Sequence, residues 1–151
     1  MKSLVIIFLW VLAPFVLHAQ TKNKADAVTG IWQTGSGKGR IQIYKANNGL
    51  YYGKIVWLKE PNYPDGKPKV DRNNPEDSKK QTPLLGLLNL RDFRHAGDNI
   101  WEDGRIYDPE KGSDYSCKMT LVNENTLDVR GFIGFSLLGR TDTWKRVLER
   151  R

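Results

Sequence analysis

Between Arg40 and Tyr44 polar and apolar residues alternate as Arg-Ile-Gln-Ile-Tyr, the period-two signature of a strand with one buried face. Asn47-Asn48-Gly49 follows, a hairpin turn built from residues that tolerate positive φ. Tyr51 to Trp57 then returns as a strand, with Tyr51, Ile55 and Trp57 expected on one face. The same pattern predicts strands from Gly30 to Thr34, Asn99 to Tyr107, Asp114 to Val122, Thr126 to Phe132, and Arg140 to about Leu148. In the clearest of them Tyr115, Cys117, Met119 and Leu121 share the inward face, and Leu127 and Val129 face in from the next. Turn chemistry separates them: Gly35 to Gly39, Asp108-Pro109-Glu110-Lys111-Gly112 and Asn123-Glu124-Asn125. No segment carries a sustained helical stripe. The chain reads as all-β.

Four stretches break the rhythm. Lys59 to Gln81 holds Pro61, Pro64, Pro68 and Pro75, charges of both signs and few apolar residues, which predicts one long Pro-rich surface loop. The dense run Leu84-Leu85-Gly86-Leu87-Leu88 fits a buried strand or a short helical turn, and its period does not decide. Arg91 to Asn99 reads as a charged, solvated loop. Gly131 to Gly139 is an apolar connection that offers a dimer or membrane contact.

The N-terminus is of another kind. Lys2, an apolar run from Leu4 to Val16 and Leu17-His18-Ala19 predict a signal peptide over residues 1–19. The run is too short and Pro-interrupted for a membrane span, so the expectation is an exported protein, periplasmic or secreted, and not transmembrane. Residues 20–29 read as a flexible polar leader, and 30–149 as a single domain.

Charge changes the picture only by its placement. The chain carries 24 Lys and Arg against 17 Asp and Glu. The excess gathers near the two ends, at Lys22, Lys24, Lys38 and Arg40, and at Arg140, Lys145, Arg146, Arg150 and Arg151. If the terminal strands pair, one basic seam results, suited to acidic ligands or anionic envelope surfaces. Export argues against nucleic acid.

An inventory of reactive groups is short. With His18 in the leader, His95 is the sole histidine, so a multi-histidine metal site is not available and no metal or other cofactor is expected. The single Cys117 leaves no intrachain disulfide and reads as a small buried hydrophobe. The loop from Asp65 to Asn74 lacks a calcium-loop register. Glu102 and Asp103 are neighbours on a strand and so are expected on opposite faces. Asp103 and Asp108 could converge as a carboxylate pair, the basis of an alternative reading as a cell-envelope hydrolase. Asp108 before Pro109 suits a turn better, and no catalytic residue is assigned.

Several spaced motifs occur in order: Gly30-Ile31-Trp32, Tyr52-Gly53-Lys54-Ile55-Val56-Trp57-Leu58, Asp71-x-x-Asn74-Pro75 and Pro83-Leu84-Leu85-Gly86. Trp101-x-x-Gly104-x-Ile106-Tyr107-Asp108-Pro109-x-x-Gly112, Leu127-x-Val129-Arg130-Gly131 and Arg140-Thr141-x-Thr143-Trp144-x-Arg146 follow. Together they resemble the exported bacterial domain-of-unknown-function family 2147, with the look of a lipocalin or calycin barrel. The resemblance implies a small antiparallel up-and-down barrel and no settled activity. It also implies that a basic residue of the last strand packs over Trp32; Arg146 is the candidate, with Lys145 or Arg140 in reserve, and Trp144 beside it. The expected role is binding of a small amphiphilic or acidic ligand or an envelope partner, by a monomer or homodimer. Trp57, Asp71, Asn74, Trp101, Tyr107 and Arg130 are the expected ligand contacts. A structural or dimeric interaction protein is the further alternative.

Overall fold

A computed structural model describes residues 24–134 and 137–148. The signal-peptide expectation, Phe135 and Arg150–Arg151 therefore lie outside the described residues. Among the described residues eight strands form a closed antiparallel barrel in sequence order. They are β1 (Gly30–Gln33), β2 (Gly39–Lys45), β3 (Tyr51–Leu58), β4 (Leu88–Gly97), β5 (Ile100–Asp108), β6 (Ser113–Asn123), β7 (Thr126–Phe132) and β8 (Gly139–Arg146). Each pairs with the next, and β8 returns to β1 with Trp32 opposite Arg146. The protein is an all-β, closed antiparallel barrel.

One end of this barrel is solid. Trp32, Trp101, Tyr51, Phe93, Leu90 and Met119 are almost wholly buried there, and Tyr51 meets Trp101 edge to face at 6.3 Å. Room for the Phe93 ring comes from Gly104, where a Cβ would stand 2.4 Å from ring carbons. Such an approach is open only to glycine. Lys24–Val28 was expected to be flexible, yet it forms a 3-10 helix across this end with Val28 fully buried. Its carbonyls are taken up by the core: Trp101 Nε1 donates to Ala25 O at 3.1 Å, and Trp32 Nε1 to Val28 O at 2.9 Å. Arg146 lays its guanidinium 4.1 Å from the Trp32 ring centroid. The same group donates to Ala27 O at 2.7 Å and Thr29 O at 2.8 Å, tying the helix to the last strand. Burial draws the Arg146 pKa below its ordinary value, but the carbonyls accept its protons and the indole face favours its charge.

Three corrections to the sequence reading share one cause, the β-bulge. Ile41 pairs with Ile55 but Arg40 pairs with Trp57, so an extra residue enters β3 and Trp57 turns outward, away from Tyr51 and Ile55. Arg40 covers it at 4.5 Å from the ring centroid. Residues 91–97 are strand, not loop; β4 is irregular against β3, and Asp92 takes a φ of 62°. That irregularity hid the strand, because it destroys the alternation while still delivering Leu90 and Phe93 to the core. Glu102 and Asp103 are not opposed: a register shift between Trp101 and Gly104, with Asp103 at φ 61°, brings both within reach of Arg94.

From 59 to 87 the chain holds a 3-10 turn (Asp77–Lys79) and two isolated bridges, Asn62 with Pro68 and Val70 with Pro83. It is not only a surface excursion, because Asp71 within it is completely buried.

Candidate ligand site at the open end

At the opposite end the barrel is hollow. A cavity of about 870 Å³ opens between the β1–β2, β5–β6 and β7–β8 connections. Its wall is apolar: Ile41, Ile55, Ile106, Val129 and Trp144 arrive from β2, β3, β5, β7 and β8. Alternation along each strand puts these inward and leaves the charged neighbours outside. Tyr115 adds an aromatic ring and Asn89 an amide.

Asn89 and Leu90 are consecutive yet both buried. Gly53 pairs with Leu90 and Lys54 with Leu88, so the bulge in β4 leaves Asn89 unpaired across the ladder and turns it inward. Its Oδ1 is buried with no hydrogen-bond partner, and among the described residues no other buried side-chain oxygen or nitrogen shares that condition. This is the residue sequence reasoning missed. The available signal was an Asn inside the Leu-rich run Leu87-Leu88-Asn89-Leu90.

Charge is confined to the rim. Lys38 pairs with Glu110 at 3.0 Å, joining two mouth turns through exposed side chains, a contact of little energetic weight. Asp142 is already engaged, its Oδ2 accepting from Trp144 Nε1 at 2.7 Å and from the Gly35 amide at 3.2 Å. Trp144 thus forms part of the cavity wall, apart from the Trp32–Arg146 stack. On one side the rim is greasy: Ile133, Leu137 and Leu138 are 71%, 89% and 73% exposed.

The six expected contacts do not meet in this cavity. Trp57 lies on the outer wall. Trp101 is sealed in the solid end. Arg130 braces the outside of the lip, donating to Thr141 Oγ1 at 3.1 Å and Leu137 O at 3.4 Å. Asp71, Asn74 and Tyr107 do come together, but across the outside of β5. There Tyr107 Oη donates to Asp71 Oδ1 at 2.8 Å and Asn74 Nδ2 to Asp71 Oδ2 at 2.7 Å. Burial, then the bond to Asp71, pushes the Tyr107 phenol up to about 12. A second hollow of about 400 Å³ sits here, bordered by Lys79, Arg91 and Asp114. Tyr107 alone of the six borders both spaces.

Neither acid of the hydrolase reading faces the other's partner. Asp103 is ion-paired with Arg94 on the outer wall, whereas Asp108 Oδ1 accepts from the Glu110 amide at 2.9 Å and shapes the mouth turn. His95 rests 5.1 Å from the Trp101 ring, with Nε2 3.1 Å from Asp98 O. Cys117 is buried, and that burial raises its thiol pKa to about 12, so it behaves as core.

Residues 30–146 match the model of the family described as "Uncharacterized protein conserved in bacteria (DUF2147)". The chain belongs to the DUF2147 family. Its barrel is similar to protein HP1028 from the human pathogen Helicobacter pylori, described as belonging to the lipocalin family. The two share 23% identity, with a TM-score of 0.69 over 80% of this chain and 83% of that one, a likeness of fold. No curated protein matches. For this DUF2147 chain the site must therefore be read from its own residues.

Proposed function

We propose that this protein is an exported binding barrel that holds a small amphiphilic ligand in the cavity at its open end. The observation that carries the reading is the division of one barrel into a solid half and an apolar hollow of about 870 Å³. That volume falls within the range of small-molecule sites, and an apolar wall with few polar groups is their usual chemistry. The exposed Ile133, Leu137 and Leu138 beside the opening give an apolar tail a greasy threshold to cross. The Pro-rich stretch from Lys59 to Gln81 serves as a buttress of the mouth, because Asp71 fastens it to the outer wall through Tyr107. The signal-peptide pattern of residues 1–19 supports the export part of this reading.

Native mass spectrometry of protein taken from its own periplasm, followed by displacement of the neutral fluorophore N-phenyl-1-naphthylamine, tests this. A retained small molecule and fluorophore binding are expected, and both should vanish in Val129→Trp, which fills the hollow from its wall. Folded wild-type protein that retains nothing and binds no apolar probe would end the proposal.

A further inference from the structure

Among the described residues, the buried unpartnered amide in the cavity wall says what kind of ligand it takes. Resting on the binding reading above, we infer that the ligand buries an uncharged group able to donate and accept hydrogen bonds, a hydroxyl or carboxamide, against Asn89. An ionised head is left outside.

Asn89 is 7% exposed and borders the hollow, and its amide carries an acceptor with no partner. A buried amide without a partner is destabilising, so its presence in an otherwise apolar wall calls for a partner that arrives from elsewhere. A half-turn about χ2 exchanges its oxygen and nitrogen, so the side chain can accept from or donate to a visitor. The oxygen as placed is closed to the hollow, so a hydroxyl or carboxamide satisfies it once the amide turns toward the space. A carboxylate could accept from the amide nitrogen, but the buried wall offers no cation. Lys38, Lys111, Arg140 and the carboxylate of Asp142 all stand at the exposed rim. An anion brought to Asn89 would lose its hydration without a counter-charge, a far larger cost than one hydrogen bond repays. The bulge is the device that builds this: without the extra residue in β4, Asn89 would face solvent.

The test uses three probes of equal chain length, 1-octanol, octanoate and 1-chlorooctane, each displacing N-phenyl-1-naphthylamine at neutral pH from wild-type protein, Asn89→Leu and Asn89→Ser. The expected order in wild type is octanol tighter than chlorooctane by roughly tenfold or more, with octanoate weaker than octanol. In Asn89→Leu the preference of octanol over chlorooctane should disappear while chlorooctane still binds, which shows that the hollow is intact. Asn89→Ser, which keeps a hydroxyl, should restore part of it. Octanoate binding as tightly as octanol would overturn the inference, as would a preference for octanol unchanged in Asn89→Leu. If chlorooctane binds as well as octanol in wild type, water alone serves Asn89 and the inference fails, although the binding barrel stands. If no probe displaces the fluorophore, both readings fall together.

Discussion

At its solid end the barrel brings Trp32, Tyr51, Phe93 and Trp101 into one packed cluster and covers them with a helix whose Ala25 and Val28 carbonyls accept from the Trp101 and Trp32 indoles. At its open end the wall rests largely on the smaller Ile41, Ile55, Ile106 and Val129, an amide is left unpaired, and Ile133, Leu137 and Leu138 are exposed. The strands are continuous from one end to the other, so backbone pairing is not what differs. Side-chain volume and polar satisfaction differ. Where both are complete the protein has a plug, and where both are incomplete it has room for something else. Stability and function are therefore separated along the barrel axis.

Truncation on the two sides measures that separation most directly. Phe93→Ala removes a fully buried ring from the solid half and should cost about 3–5 kcal/mol in urea unfolding. Ile106→Ala, on the cavity wall, loses packing on one side only and should cost about 1 kcal/mol while enlarging the hollow. Equal costs would mean that the two ends are packed alike and that the hollow is closed in solution.

The strands that alternate cleanly were legible from sequence because burial on one face writes itself as a period of two. β2, β6 and β7 are examples, with Cys117, Met119, Leu127 and Val129 facing in. The bulged strands were not legible. In β4 the inward residues Asn89, Leu90 and Phe93 follow no period, and Asp92 and Asp103 occupy backbone conformations that glycine usually takes. Site residues suffered most, since the residue that distinguishes the cavity is itself turned in by a bulge. Asp71, Asn74 and Tyr107 stood only among six expected ligand contacts, and sequence says nothing about their meeting on the outer side of the wall.

Tyr107 couples that outer wall to the mouth, and Tyr107→Phe sharpens the comparison with a smaller effect. Asp71 is fully buried and would lose one of its two side-chain donors, keeping Asn74. A loss of about 1–2 kcal/mol is expected. More telling is where it appears: amide exchange should quicken at Asp71, bonded to Thr82 O, and at Asn74, bonded to Asp71 O, but not at β2 or β6. Uniform acceleration over the barrel would show that the buttress and the solid end form one cooperative unit.

The smallest effect concerns how the solid end is fastened at acid pH. Tyr51 Oη donates to Asp26 Oδ1 at 2.6 Å, and Lys45 Nζ reaches the same oxygen at 3.1 Å. These bonds, Tyr51 first, hold the Asp26 carboxyl below its ordinary value of 3.8. A depressed carboxylate contributes stability that is present above the unfolded pKa and lost as pH falls through the folded one. The wild-type melting temperature should therefore exceed that of Asp26→Asn by a degree or so at pH 6, roughly the shift a few tenths of a kcal/mol produces. The gap should narrow below about pH 4. Asp26 is 37% exposed on its side chain, so added salt should shrink the difference at pH 6 as well. A gap that persists unchanged at low pH would mean that hydrogen-bond geometry, and not the carboxylate's charge, secures the helix over the plug.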